Sequence, residues 1–254
     1  MKIAISGKGG VGKTTLCALL AQEAIRRGYR VLAVDADPNP TLAGALGLSH
    51  EPTPLVELRE LIEERLGSLE GFFRLNPKVD DIPERFSIEK DGIRLLVMGP
   101  VRQGGEGCAC PQNTFLKSLL QHIVLERDEL VLLDLEAGLE PLGRATAQGV
   151  DAVLIVLEPD PRSLATATRI QKLAHDLSLN QIYAVVNKVR EPEDLAYVQT
   201  HLPEGLSLLG VLPYDDVIRR AGREGHCIED PEINRKAQAI LKYLEDSLEL
   251  SPAK

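Results

Sequence analysis

A glycine-rich segment near the start of the chain, GKGGVGKT at positions 7–14, has the residue types and the spacing that bind phosphate. It fits the pattern G-x-x-x-x-G-K-[ST] and lies between a predicted strand and a predicted helix, which is the context in which that pattern is meaningful. Its glycines allow backbone N–H groups to point at phosphate oxygens. Lys13 would reach the terminal phosphates, and the Thr14 hydroxyl would bind Mg²⁺. The residues expected to contact a nucleotide are Gly7, Lys8, Gly9, Gly10, Val11, Gly12, Lys13, Thr14 and Thr15.

Aspartates follow two of the other predicted strands. Asp35 and Asp37 end the segment VDADPNP, and Asp134 follows the apolar run LVLL. Open α/β sheets bind ligands at the carboxyl ends of their strands, where a carboxylate can orient an attacking water or hold Mg²⁺ through water. Gly138 would offer its N–H to the γ-phosphate and let its loop move between nucleotide states. The alternative for Asp35 and Asp37 is a helix cap or a turn.

The phosphate loop contains a further lysine, Lys8, ahead of Lys13. With this early lysine, the loop resembles the deviant Walker A motif of the MinD-type ATPases. That family includes partition ATPases, nitrogenase iron protein and several metallocentre maturation ATPases. Its early lysine reaches across a dimer interface to the partner's nucleotide. The resemblance therefore implies a homodimer bridged by nucleotide, with Lys8 and Lys13 both acting in catalysis.

The two acidic segments are similar to the family's two switches. The Asp-x-Asp-Pro form implies that Asp37 positions the attacking water and helps to hold magnesium, with Asp35 in support. The segment DLEAG keeps the Asp-x-x-Ala-Gly frame of the second switch from Asp134 to Gly138. Glu136 is a bulkier acid than that frame usually contains.

A base-binding pocket is expected at the ends of two further strands. Asn187 and Lys188 resemble the Asn-Lys of nucleotide-base recognition loops, and Pro213 falls where the family has its second adenine loop. Guanine-specific loops add an aspartate three residues after the asparagine, whereas position 190 here is arginine. Because an amide side chain can exchange hydrogen bonds with adenine, ATP is favoured over GTP. The alternative for Asn187 is a simple turn residue.

Two of the four cysteines, Cys108 and Cys110, are separated by one alanine in the segment GGEGCACPQN. A structural zinc site almost always needs four protein ligands, so one chain supplies half a site and a two-fold dimer supplies a whole one. Soft thiolates suit Zn²⁺, Cu⁺, Fe–S clusters and Ni²⁺. Alone, a C-x-C could also be two buried small residues or a redox pair. Cys17 is expected in the core, and His226 and Cys227 are left out of the site.

Within the MinD-type family, the C-x-C resembles the nickel-insertion ATPases of carbon monoxide dehydrogenase maturation, the CooC type. The resemblance runs along nearly the whole chain and includes LNPKVD (75–80), CAC, GLE (138–140), EPDPRSL (158–164), VVNKVR (185–190) and GVLPYDD (210–216). It implies metal binding at the paired C-x-C of a homodimer and ATP hydrolysis coupled to nickel delivery. A similar signature serves acetyl-CoA synthase maturation, so the client enzyme stays open.

Two other functions compete with nickel delivery. Four thiolates across a dimer could hold an iron–sulfur cluster, which would make the chain an iron–sulfur carrier or electron donor. Nitrogenase iron protein uses one cysteine from each of two segments, and the second segment here, DLEAGLEP, has none. A partition or positioning ATPase would need a basic amphipathic end or a basic patch, and the C-terminal helix here is acidic in its later half.

These residues need a parallel sheet to bring them together. Apolar runs predict strands at Lys2–Ser6, Arg30–Val34, Ile93–Met98, Leu130–Leu133, Ala152–Leu157, Gln181–Val186 and Leu206–Leu212. Helical patterns alternate with them at Lys13–Arg27, Pro54–Leu66, Thr114–Glu126, Ser163–Leu177, Glu193–His201 and Pro231–Leu248. The alternation predicts one α/β domain over residues 1–254, with a mostly parallel sheet of seven to eight strands and helices on both faces. Residues 49–92 are interpreted as a helical insertion without a strand, and residues 104–113 as the metal-binding loop.

Composition limits the partners. The net charge of −9 argues against nucleic acid and anionic membranes as binding surfaces. No apolar run approaches the length of about 20 residues that a membrane span needs, and MKIAIS turns to glycine too early for a signal peptide. We therefore expect a cytoplasmic protein, in which cysteines are more often reduced or metal-bound than disulfide-bonded.

Overall fold

The computed structural model describes residues 1–50, 52–67, 74–99, 111–126, 129–139 and 141–248. Cys108 and Cys110 lie outside these ranges. So do residues 104–110 of the metal-binding loop that we expect at 104–113. The description resumes at Pro111, the first residue of a helix that extends to Glu126.

The strands of the described residues form one eight-stranded sheet in the order β3-β4-β2-β5-β1-β6-β7-β8. They are β1 (Lys2–Gly7), β2 (Val31–Asp35), β3 (Ile88–Lys90), β4 (Ile93–Val97), β5 (Leu130–Asp134), β6 (Ala152–Leu157), β7 (Ile182–Val189) and β8 (Ser207–Pro213). All neighbours pair in parallel except β3 with β4. The mostly parallel sheet is confirmed, and each of the seven predicted strands overlaps an observed one.

The helices of the described residues flank this sheet. They are α1 (Lys13–Arg26), α2 (Leu42–Ala45), α3 (Arg59–Leu66), α4 (Ile82–Phe86), α5 (Pro111–Glu126), α6 (Arg144–Ala147), α7 (Pro161–Asp176), α8 (Pro192–His201), α9 (Asp216–Glu224) and α10 (Pro231–Ser247), with a short 3₁₀ helix at Leu55–Glu57. The six predicted helices are present, and α2, α4, α6 and α9 were not predicted. None of the described helices combines the length and the apolar character that crossing a membrane requires.

Two apolar cores lie on the two faces of the sheet. Ile3 and Ile5 of β1 share one core with α1 and α10, whereas Ala4 belongs to the other core with α5 and α7. Alternate residues of a strand point to opposite faces, so strands covered on both sides are apolar at every position. This explains why continuous apolar runs located the strands.

Residues 49–92 differ from the helical insertion that we expected. Besides α3 and α4, the described part contains β3, which pairs antiparallel with β4 at the sheet edge. The two strands are joined at Asp91 and Gly92, which both have positive φ, at 51° and 82°. Asp-Gly is a strong signal for a two-residue hairpin turn, and it is present in the sequence EKDGIR. A three-residue strand was too short for its apolar pattern to show.

Candidate nucleotide site

Five of the predicted phosphate-binding residues line one cleft at the carboxyl end of the sheet, namely Gly9, Gly10, Gly12, Lys13 and Thr14. Its volume is about 430 Å³, and its walls come from the loop after β1, the loop after β2 and the loop after β5. β1 lies in the middle of the sheet, between β5 and β6. The chain runs from β1 to β2 on one side of it and later continues to β6 on the other side. The cleft therefore lies at the point where the direction of strand addition reverses. Open α/β sheets bind ligands at such a point.

The phosphate loop is held in place by close backbone contacts. Gly12 has φ 101°, and a Cβ added there would lie 2.1 Å from the Nδ2 of Asn187. A Cβ on Gly7 would lie 2.2 Å from the carbonyl oxygen of Val156. No side chain among the described residues caps α1, whose first residues Lys13 and Thr14 line the cleft, so its N-terminal N–H groups are available to a bound anion.

Lys13 and Thr14 meet the acidic residues inside this cleft. The buried Lys13 ammonium lies 4.0 Å from Asp37 Oδ2. The Thr14 hydroxyl donates to Asp134 Oδ2 at 2.6 Å, and the Thr41 hydroxyl donates to Thr14 at 3.3 Å. Residues at or after the carboxyl ends of β1, β2 and β5 thus come together at one point.

The oxygen donors fit a magnesium ion bound together with phosphate. Asp134 Oδ1 is buried and makes no hydrogen bond within the described residues. No group of three or more His, Cys, Asp or Glu residues in the described ranges is arranged to hold a metal alone. Mg²⁺ commonly keeps several waters and binds through one or two protein groups and the substrate phosphates. Thr14 could therefore hold such an ion as a direct ligand and Asp134 through water.

Asp134 has an unusual protonation equilibrium. Burial raises its pKa to about 7, with a further contribution from the nearby Asp35, although the Thr14 hydroxyl and the Lys13 ammonium act in the opposite direction. A bound cation would favour the ionised carboxylate.

Asp35 anchors the first switch. Its Oδ2 accepts from the N–H groups of Thr41 and Leu42, each at 2.9 Å, and its Oδ1 accepts from the N–H of Asp37 at 3.1 Å. Burial raises the pKa of Asp35, and these three hydrogen bonds partly oppose the shift. Asp37 is more exposed and faces Lys13, so it is the better placed of the two to meet a water molecule.

The second switch is folded back on itself. Gly138 N–H donates to the carbonyl of Glu136 at 2.8 Å, while the Ser6 hydroxyl donates to the carbonyls of Glu136 and Gly138. The expected contact between the Gly138 N–H and a γ-phosphate therefore requires this turn to change. The exposed Glu136 lies on the wall of the cleft.

The predicted base-binding residues also support the phosphate loop. Asn187 is buried, and its Nδ2 donates to the carbonyl of Val11 at 2.7 Å. Lys188 Nζ donates to the carbonyl of Gly10 at 2.7 Å and lies 2.5 Å from Glu158. Recognition of adenine by Asn187 stays a prediction, whereas the loop-supporting role was not foreseen.

Position 190 and the chain after β8 pack together beside these residues. The Arg190 guanidinium stacks 3.9 Å from the ring centre of Tyr214, and the Tyr214 N–H donates to the carbonyl of Val189. Pro213, the predicted base-loop residue, is the last residue of β8 and directly precedes Tyr214. The arginine that argued against a guanine-specific loop thus helps to fix the loop after β8.

The early lysine lies against its own subunit. Lys8 Nζ is 3.7 Å from Asp160 Oδ2, between β6 and α7. The sequence contains a signal for this aspartate, because Asp-Pro before a helical pattern marks a helix N-terminus. Its pairing with Lys8 could not be read from the sequence.

The structure describes two of the four cysteines, Cys17 and Cys227. Cys17 is fully buried, as expected, and burial raises the pKa of its thiol well above the ordinary value. Cys227 donates through Sγ to the carbonyl of Leu46 at 3.2 Å.

The fold and the cleft together define a P-loop protein of the nucleotide-binding class. A family model, the CobQ/CobB/MinD/ParA nucleotide binding domain, matches residues 2–228. The chain belongs to this family, and it is an ATPase of the MinD type.

Several relatives extend over almost the whole chain. An uncharacterized ATP-binding protein of Methanocaldococcus jannaschii is 44% identical over 251 residues, covering 96% of this chain and 97% of its own. The carbon monoxide dehydrogenase accessory protein CooC of Rhodospirillum rubrum is 42% identical over 253 residues, covering 96% of each chain. The solved structure of the septum site-determining protein MinD of Pyrococcus horikoshii with Mg-ADP has a TM-score of 0.68 at 24% identity, covering 97% of this chain and 95% of the other. The last similarity concerns the fold alone.

Proposed function

We propose that this protein is a metal-inserting ATPase that delivers nickel to carbon monoxide dehydrogenase or to a related nickel enzyme such as acetyl-CoA synthase. The observation that carries the proposal is the similarity to the accessory protein CooC over 96% of the chain, in a sequence that contains the pair Cys108 and Cys110. The predicted location is the cytoplasm. Neither a membrane nor a nucleic acid is needed for this function.

The metal would bind between two subunits. Cys108 and Cys110 of each subunit together provide four thiolates, which suit Ni²⁺ or Zn²⁺. Cys110 is adjacent in sequence to Pro111, where α5 begins. A helix N-terminus lowers the pKa of a nearby thiol and so favours the ligating thiolate.

The nucleotide would bind at the same dimer interface. Each subunit holds ATP with magnesium through Lys13, Thr14 and Asp134, and Lys8 reaches the nucleotide of the partner. Asp37 orients a water molecule and accepts its proton as the water attacks the γ-phosphorus, releasing ADP and phosphate. Loss of the γ-phosphate lets the two switches relax, and this change alters the affinity of the thiolates for nickel.

Nickel affinity measured in three nucleotide states tests this coupling. Competition with a chromophoric chelator, under anaerobic reducing conditions, gives the affinity of the protein alone, with ADP and with a non-hydrolysable ATP analogue. We expect values that differ by about five-fold or more, the usual lower range of allosteric coupling. The Lys13→Ala variant should bind nickel without responding to nucleotide. Equal affinities in all three states of the wild-type protein would contradict the proposal.

A further inference from the structure

Near its carboxyl end, β1 contains a buried polar residue. Ser6 follows the apolar run from Ile3 to Ile5, and its side chain is fully buried. Successive side chains of a strand alternate in direction, so Ser6 lies on the same face of the sheet as Ala4. A hydroxyl buried among apolar neighbours needs a hydrogen-bond partner. The second switch provides two.

The Ser6 hydroxyl contacts both ends of a three-residue turn. It lies 2.7 Å from the carbonyl oxygen of Glu136 and 3.0 Å from that of Gly138, and its single proton is shared between them. Within the turn, the Gly138 N–H donates to the Glu136 carbonyl at 2.8 Å, which is the hydrogen bond of a γ-turn. The contacts with Ser6 therefore add to the one hydrogen bond that closes the turn itself.

This turn determines what the second switch presents to the nucleotide cleft. Glu136 and Ala137 are exposed and line the cleft, whereas Gly138 is buried. The Gly138 N–H, which is predicted to bind a γ-phosphate, is engaged with the Glu136 carbonyl. In this conformation the switch places an acidic residue on the wall of the cleft and keeps an N–H donor from phosphate. Both features disfavour a γ-phosphate, because like charges repel and the donor already has a partner.

We infer that Ser6 is a positioning residue of the ATPase: its hydroxyl stabilises the folded-back turn of the second switch and thereby lowers the affinity for ATP relative to ADP. To bind the Gly138 N–H, a γ-phosphate must open the turn, and the contacts of Ser6 at both ends resist that opening. ADP has no γ-phosphate and binds with the turn closed. The inference rests on the predicted contact between Gly138 and the γ-phosphate, and it does not depend on nickel delivery.

The variant Ser6→Ala tests this role, because it removes only the hydroxyl, and alanine already occupies position 4 on the same face. Ser87→Ala is the matched control. The Ser87 hydroxyl also donates to a backbone carbonyl, that of Pro83, but Ser87 directly precedes the edge strand β3, which two strands separate from β5. The first measurement is the rate of amide hydrogen exchange at Gly138 in nucleotide-free protein, followed by NMR. The second is the ratio of the dissociation constants for Mg-ADP and for Mg-adenylyl imidodiphosphate, from calorimetric titrations.

We expect faster exchange at Gly138 in Ser6→Ala, and a shift of about three- to ten-fold in favour of the ATP analogue over ADP, the range that loss of one hydrogen bond produces. Ser87→Ala should match the wild type in both measurements. Ser6→Cys, which nearly preserves the volume but has a weaker donor, should lie between wild type and Ser6→Ala, and it decides alone if Ser6→Ala does not fold.

A purely structural role for Ser6 would lower the melting temperature and weaken both nucleotides equally, leaving their ratio as in wild type. Unchanged exchange at Gly138 in the Ser6 variants would show that the hydroxyl does not stabilise the turn and would overturn the inference. Faster exchange with an unchanged ratio, or with a ratio shifted in favour of ADP, would overturn the effect of the turn on nucleotide preference.

Discussion

Three aspartates at the edge of the sheet share one chemistry but have different surroundings. Both carboxylate oxygens of Asp35 accept hydrogen bonds from backbone N–H groups, three in all. Asp35 therefore stabilises the conformation of the first switch and is not free to contact a substrate. Asp37 is partly exposed beside Lys13 and can reach a water molecule. Asp134 is buried, bonded to Thr14, and has one free oxygen among the described contacts. At the scale of single residues, exposure separates Asp37 from the two buried aspartates, and hydrogen-bond partners separate Asp35 from Asp134.

The raised pKa of Asp134 predicts how stability depends on pH. Its folded-state pKa is about 7, whereas an aspartate in an unfolded chain titrates near pH 4. Between these values the folded protein binds a proton that the unfolded chain has lost, so this residue lowers the free energy of unfolding as pH rises. Asparagine has no such proton, so the stability of Asp134→Asn relative to wild type should increase from about pH 5 to about pH 8.

Urea unfolding of both proteins without metal or nucleotide, at several pH values, measures this difference. In wild type, magnesium with ADP should stabilise the folded protein more above pH 7 than at pH 5, because the ion favours the ionised carboxylate. Parallel stability curves for wild type and Asp134→Asn across this range would contradict the assigned pKa.

At the scale of elements, the end of β7 supports the loop that follows β1. Asn187 and Lys188 bind the carbonyls of Val11 and Gly10, and Gly12 touches the Asn187 amide with no room for a side chain. Holding these carbonyls fixes the conformation of the loop, so that neighbouring N–H groups can face phosphate. The residues predicted to bind the base therefore also stabilise the conformation of the phosphate loop.

Substitution of Gly12 tests this junction. In Gly12→Ala the new Cβ would lie 2.1 Å from Asn187 Nδ2, in addition to the strain of a positive φ. We expect loss of ATP binding and a lower melting temperature. Gly28→Ala is the matched control, because Gly28 also has positive φ, at 87°, but a Cβ there meets nothing within 4 Å. In Gly28→Ala the backbone strain should lower the free energy of unfolding by about 1–2 kcal/mol, and ATP affinity should be unchanged. Normal ATP binding by Gly12→Ala in a calorimetric titration would contradict the account.

The elements differed in how far the sequence could predict them. Strands such as β6 and β7 were predictable because burial on both faces makes every position apolar. The edge strand β3 has only three residues, and α9 is short and mostly charged, so neither gave a long enough pattern. The phosphate loop and its acids were predicted from local spacing. The contacts of Lys188 with Gly10 and of Lys8 with Asp160 join residues more than 150 positions apart, and no local pattern encodes them.

At the scale of the whole molecule, the fold places the chain in a family without selecting its biological role. The solved MinD structures, at about one-quarter identity, share this fold. The accessory protein CooC, at 42% identity across the chain, is the comparison that bears on role. The described part of the chain contains the nucleotide site of the ATPase. Cys108 and Cys110 would supply the metal site that the proposed nickel delivery requires.

The amount of nickel bound by wild-type and variant proteins shows whether Cys108 is a metal ligand. Wild type, Cys108→Ser and Cys227→Ser are purified anaerobically, loaded with nickel and analysed for bound metal. Cys227→Ser is the control, because this cysteine contacts the backbone of Leu46 and not the proposed site. We expect about one nickel per two chains in wild type and in Cys227→Ser, from four shared thiolates, and none in Cys108→Ser. Equal nickel in Cys108→Ser and wild type, or a brown wild-type protein with stoichiometric iron and sulfide, would contradict it.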